Sequence, residues 1–113
     1  MPADPKAVAW DDYALEKVTE MVSRRVHLDR GSGAILVQTH LRKGALVPRH
    51  THAGEQSVHV TVGAIRLQTA DAAVTLRSGD SARVPARTPH QIEVLEDSIV
   101  VDARQGDVEF SDV

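Results

Sequence analysis

The sequence predicts an all-β domain, a sandwich or closed barrel built from short strands. Aliphatic and polar residues alternate over short segments, the signature of half-buried strands. Turn-forming residues interrupt those segments at intervals of roughly 8–12 residues, as in sandwiches and barrels. Only one stretch, Trp10–Glu20, is a helical candidate, and it is short and weakly periodic.

That stretch reads as an arm or a single turn leading into the first strand. The strands are then expected at Met21–Leu28, Ala34–Leu41, Gln56–Val62, Ala64–Thr69, Ala73–Leu76, Ser81–Pro85, Gln91–Val94 and Ile99–Ala103. The turns fall at Gly31-Ser32-Gly33, Lys43-Gly44, Ala70-Asp71, Ser78-Gly79-Asp80 and Glu96-Asp97, all rich in residues that favour chain reversal. An N-terminal arm over 1–20 and one folded unit over 21–113 follow, with GDVEFSDV as an acidic surface tail.

At 113 residues the chain has room for one modest core. Its net charge is -3, and no Lys/Arg run exceeds two residues, as in Arg24-Arg25. Nucleic acid is therefore not an expected partner, because phosphate binding needs a concentrated basic face. No apolar run is long enough for a membrane span. The N-terminal MPADPKAVAW lacks the basic start and apolar core of a signal peptide, so a cytoplasmic location is the default expectation. With no cysteine, disulfides and thiolate metal sites are excluded.

Strand parity sorts the side chains. Gln56, Val58, Val60 and Val62 share one face, and the valines make it the core face. Ser57, His59 and Thr61 then point outward. His90, Ile92 and Val94 form a second inward stripe, opposite Gln91 and Glu93. Two polar groups, Gln56 and His90, thus begin apolar stripes on separate strands, and buried polar groups need partners.

His50 and His52 project from one face of an extended segment that follows Pro48. Ala53-Gly54 bends the chain so that Gln56 returns to the same interior, and the stiff loop Pro85-Ala86-Arg87-Thr88-Pro89 delivers His90. Three neutral imidazoles and an amide oxygen suit one divalent first-row metal ion with open positions. An uncharged donor set leaves the ion its full charge, which favours polarising a carbonyl or carboxylate, or acidifying a bound water. By itself, an HxH pair in a strand is more often a pair of surface histidines.

The full spacing says more. Gly44, five residues, His50-x-His52, three residues, Gln56, six residues, Gly63 resembles the first motif of the cupin superfamily. Gly79, five residues, Pro85, four residues, His90 resembles the second. The resemblance covers most of the chain and implies a jelly-roll β-barrel (a double-stranded β-helix), in line with the strand count. It also implies metal ligands at His50, His52, Gln56 and His90. The family usually has glutamate at the third position; here Glu55 stands one place earlier, and a one-residue bulge would exchange the two. The ion stays open among manganese, nickel, iron, zinc and copper.

Within the superfamily the chain is similar to small single-domain cupins of pectin and alginate breakdown, which open unsaturated uronates to linear keto sugars. The likeness lies in the arm with Trp10, SRRV, KGA before the histidines, the glutamine ligand and LEDSIVVDA. It implies a metal-dependent enzyme acting on a small oxygenated metabolite such as a sugar acid. A metal-dependent dioxygenase for a diketone-like substrate is an alternative, although aromatic residues are only 3% of the chain. A non-catalytic metal- or metabolite-binding sensor is another.

His40 is the first residue to test as acid or base, although its place on the polar face with Gln38 also fits a surface histidine. His59 belongs to the outer face, where the family often packs an aromatic against a partner subunit, and His27 has no assigned role. Arg24, Arg25 and Arg87 can grip an anionic substrate or stay solvated. Open sheet edges and an N-terminal arm make a homodimer the expected assembly.

Overall fold

The chain enters the fold through one 3-10 turn, Trp10–Asp12, in the computed structural model, which describes residues 5–105. Eight strands follow: β1 (Glu16–Thr19), β2 (Val22–Asp29), β3 (Ala34–Leu41), β4 (Leu46–His50), β5 (Gln56–Thr69), β6 (Ala73–Arg77), β7 (Ser81–Val84) and β8 (His90–Gln105). All pairings are antiparallel, in the order β1-β2-β3-β8-β5-β6, with β4 on β8 and β7 on β5. The proposed acidic tail lies outside the described residues.

β5 and β8 are long enough to serve both layers of the jelly roll. The first half of β5 pairs with β7 (Gln56↔Val84) and its second half with β6 (Ala64↔Arg77). The second half of β8 pairs with β3 (Leu36↔Ala103), whereas its first half pairs with β4 (Leu46↔Glu93). The two long strands pair with each other throughout, from Gln56↔Arg104 to Thr69↔His90.

The bend between layers explains where the structure departs from the expected strands. Register shifts cluster between Val60 and Ile65, and such irregularities bend and twist a strand. Gly63 sits there at φ 102, and a Cβ on it would collide with Ser98 Oγ and the Asp97 carbonyl. Ser98 Oγ donates to Glu96 O at 2.7 Å and accepts from Ala64 N at 3.1 Å, locking the bulge. Glu96-Asp97 is consequently a bend inside continuous β8, not a chain reversal, and the strands expected on either side of it are one. Gln56–Val62 and Ala64–Thr69 fuse likewise. Strict alternation holds from Gln56 to Val60, but the bulge turns Val62 outward, where it is 50% exposed instead of in the core. β1 lies inside the stretch considered helical, and β4 is an additional strand. The core is aliphatic, with Val58, Val60, Ile65 and Val94 almost wholly buried.

Candidate metal centre

β4 runs beside β8 so that His50 is the register partner of His90. Beyond β4 the chain turns at Gly54, which packs so closely on the Gln105 carbonyl that a Cβ would not fit. Arg87 N donates to His52 O at 2.9 Å, tying the loop before β8 to the loop after β4. These constraints gather His50, His52 and His90 with ring centroids 4.3–5.4 Å apart.

The three histidines are positioned to hold a metal ion, their nearest ring nitrogens lying within 4.8 Å of one another. Nitrogens at ~2.1 Å around a tetrahedral ion stand about 3.4 Å apart, so the rings would draw together by up to roughly 1.4 Å to close on one. Their orientation is set from behind. His50 Nδ1 lies 2.8 Å from the Pro48 carbonyl, and His90 Nδ1 lies 2.8 Å from the Thr88 carbonyl. Carbonyls only accept, so each Nδ1 carries its proton and each Nε2 keeps a lone pair for a ligand.

Gln56 supplies the clearest test of fit. Its Nε2 donates to Asp102 Oδ2 at 2.7 Å, which turns Oε1 the other way. Oε1 is buried without a hydrogen-bond partner among the described residues. A buried amide oxygen left so is costly, and an ion held by the neighbouring imidazoles would satisfy it. Glu55 is exposed instead and pairs with Arg83, Nη2 to Oε1 at 2.6 Å.

The other candidates lie elsewhere. His40 is on the outer face of β3, with Nε2 3.1 Å from Gln38 Oε1 and 3.3 Å from Arg25 Nη1. Loss of hydration, helped by the Arg25 charge, pushes its pKa below the ordinary value. His27 Nδ1 meets the Tyr13 hydroxyl at 2.6 Å, and exposed His59 meets Ser81 Oγ at 2.8 Å. Arg24 reaches the interior; Arg25 donates outside to the Tyr13 carbonyl, and Arg87 is exposed.

Two interior groups escaped the reading of the sequence. Asp102 and Arg104 are 7% and 8% exposed, with Arg104 Nε 3.5 Å from Asp102 Oδ2. Their signal was parity: both continue the inward stripe of Val100. Burial raises the Asp102 pKa, opposed by Arg104, the Gln56 hydrogen bond, His50 and Arg24. Arg104 Nη1 donates to His52 Nδ1 at 2.6 Å. A neutral imidazole has one lone pair in its ring plane, so His52 cannot serve Arg104 and an ion together without a proton leaving or the pair moving apart.

All these interior groups except His90 line one cavity of about 240 Å³, whose remaining walls are mainly aliphatic. Among the described residues no helix is long and apolar enough to cross a membrane.

Residues 37–103 match the model of the Cupin domain. Among solved structures, KdgF from Halomonas sp. superposes with TM-score 0.77 at 24% identity, over 86% of this chain and 91% of that one. An RmlC-like cupin from Shewanella frigidimarina superposes with TM-score 0.82 at 20% identity, over 94% and 95%. A Bacillus subtilis oxalate decarboxylase with Mn(II) centres gives 0.81 at 18% identity, over 97% of this chain but 33% of that larger one. No curated protein matches.

Proposed function

The chain belongs to the cupin family, and we propose that it is a metal-dependent enzyme acting on a small oxygenated acid by proton transfer. One observation carries the reading: three histidines and a buried, unsatisfied amide oxygen converge beside a cavity that also holds a buried carboxylate. His50, His52, His90 and Gln56 would hold the ion. When bound, a divalent ion in a neutral donor set supplies Lewis-acid polarisation of an oxygen atom.

The chain's own residues would do the rest. Arg24 and Arg104 give the cavity positive charge that attracts a carboxylate. Asp102 lines the same cavity, and its burial favours the protonated form, so it can hold or move a proton. Its hydrogen bond to Gln56 Nε2 couples that carboxyl to the ligand set. Isomerisation or ring opening fits these parts, and the resemblance to uronate-linearising cupins supplies the sugar-acid version. The aliphatic cavity wall weighs against a polyhydroxylated substrate.

Elemental analysis of wild type and a His50→Ala/His52→Ala variant tests the centre; equal metal content in both ends the assignment. Metal-loaded protein in D2O should then exchange carbon-bound hydrogen of a small oxo or hydroxy acid, followed by NMR. Asp102→Asn should stop the exchange, and unchanged exchange removes Asp102 from the proton transfer. Loss of absorbance of a 4,5-unsaturated uronate tests the sugar-acid version directly.

A further inference from the structure

We propose that the acid bound here has an aliphatic body rather than a polyhydroxylated one; this narrows, and rests on, the reading of the centre given above. The polar groups of the cavity belong mainly to the histidine-rich side and to Arg24, Asp102 and Arg104. The rest of the wall is mainly aliphatic: Val37 and Val58 flank Asp102 in register, and Val100 and Leu41 extend it further along the cavity. Val18 and Leu46 also line the cavity, yet they stay 41% and 57% exposed, giving it an apolar rim.

A sugar acid needs either hydrogen-bond partners for its hydroxyls or an aromatic face for its ring. Among the described residues no Trp, Tyr or Phe lines the cavity. Trp10 and Tyr13 meet each other at a tilt instead, with Tyr13 edge-on to His27. Two threonines bring hydroxyls to the wall, and Thr19 Oγ1 already accepts from Met21 N at 3.1 Å. A ligand hydroxyl pressed against Val58 or Leu41 would lose water and gain nothing, costing about tenfold in affinity or more. A methylene in the same place gains from leaving water. Space agrees with a compact occupant, since about 240 Å³ falls below the roughly 300–1,000 Å³ of pockets for drug-sized ligands. The occupant is thus a compact amphiphile, with an oxygen-rich anionic head at the histidines and guanidinium groups and an alkyl body against the aliphatic wall and rim.

The test is calorimetric titration of the full chain, metal-loaded and metal-free, with 2-oxohexanoate, threonate and galacturonate. The first two acids have equal numbers of non-hydrogen atoms but opposite polarity. The oxo acid is expected to bind at least about tenfold more tightly than either polyol, the cost of one stranded hydroxyl. Val58→Thr should narrow that ratio, and so should Leu46→Gln at the exposed rim, where folding is not at stake. A polyol that binds as well as the oxo acid, or no heat from the oxo acid in either form, overturns the proposal. The preference belongs to the wall, so it should persist more weakly without metal. A protein that takes up no ion but keeps the preference sinks only the metal reading, and a loaded protein without the preference sinks only this inference.

Discussion

Six histidines divide evenly between the two faces of this barrel, and their hydrogen bonds tell them apart. On the outer face, His27, His40 and His59 meet side chains: the Tyr13 hydroxyl, Gln38 with Arg25, and Ser81 Oγ. Inside, His50 and His90 are held by backbone carbonyls through Nδ1. A hydroxyl beside His27 or His59 can donate or accept, so it does not fix which nitrogen keeps the lone pair. Backbone anchors spend only the proton and aim the remaining lone pair at a cavity. Histidine count therefore says little about a metal site, whereas what stands behind each ring says a great deal.

Removing rings from each face in turn separates the two sets most strongly. His50→Ala/His52→Ala should weaken metal binding by a thousandfold or more, on the order of 4 kcal/mol, read by competition with a chromophoric chelator. His27→Ala/His59→Ala should leave the affinity within about twofold. Comparable losses from both pairs would mean that the inner rings have no special claim on the ion.

The next effect tests what keeps the faces distinct. Gly63→Ala places a Cβ against Ser98 and the Asp97 carbonyl at a positive φ, so it should cost about 3 kcal/mol in urea unfolding. Strand register there decides which side chains point inward, because a one-residue slip exchanges the faces. That bulge also marks the limit of what could be read from residues alone. Alternation placed Gln56, His59, His90 and Ile92 on the faces they occupy, because each lies on a regular stretch. It misplaced Val62, where the bulge adds a residue that no hydrophobic pattern announces. It split β8 at Glu96-Asp97, because turn-type residues at a bend look like a reversal when the long-range pairing is unseen. Asp102 and Arg104 were legible in principle from the stripe of Val100. They went unread because charged residues are rarely expected inside.

Arg104 gives an inner histidine, His52, a side-chain partner of the outer kind. Its donation to His52 Nδ1 competes with an ion for that ring, and its charge repels one. Arg104→Gln should therefore raise metal affinity by about tenfold, ~1.4 kcal/mol. The same variant should weaken binding of a carboxylate to the loaded protein, because the guanidinium is one of two in the cavity. Unchanged metal affinity would show that Arg104 yields to the ion at no cost.

The smallest effect is expected from pH on the outer face. Loss of hydration and the Arg25 charge hold the folded-state pKa of His40 below its ordinary 6.5. The unfolded chain then takes up a proton at this position more readily than the folded one, so stability rises with pH across the interval. The contribution is fully present above 6.5 and fades as pH falls through the lowered folded value. His40→Gln should keep the contact with Gln38 while flattening that part of the curve, measured as urea midpoints above and below 6.5 in metal-free protein. Acid also releases an ion from the inner histidines, because only neutral imidazole ligates. In loaded protein the two dependences add; in metal-free protein only the outer one among these should respond to His40→Gln. A midpoint slope unchanged by that substitution would mean that the ring's surroundings do not favour its neutral form.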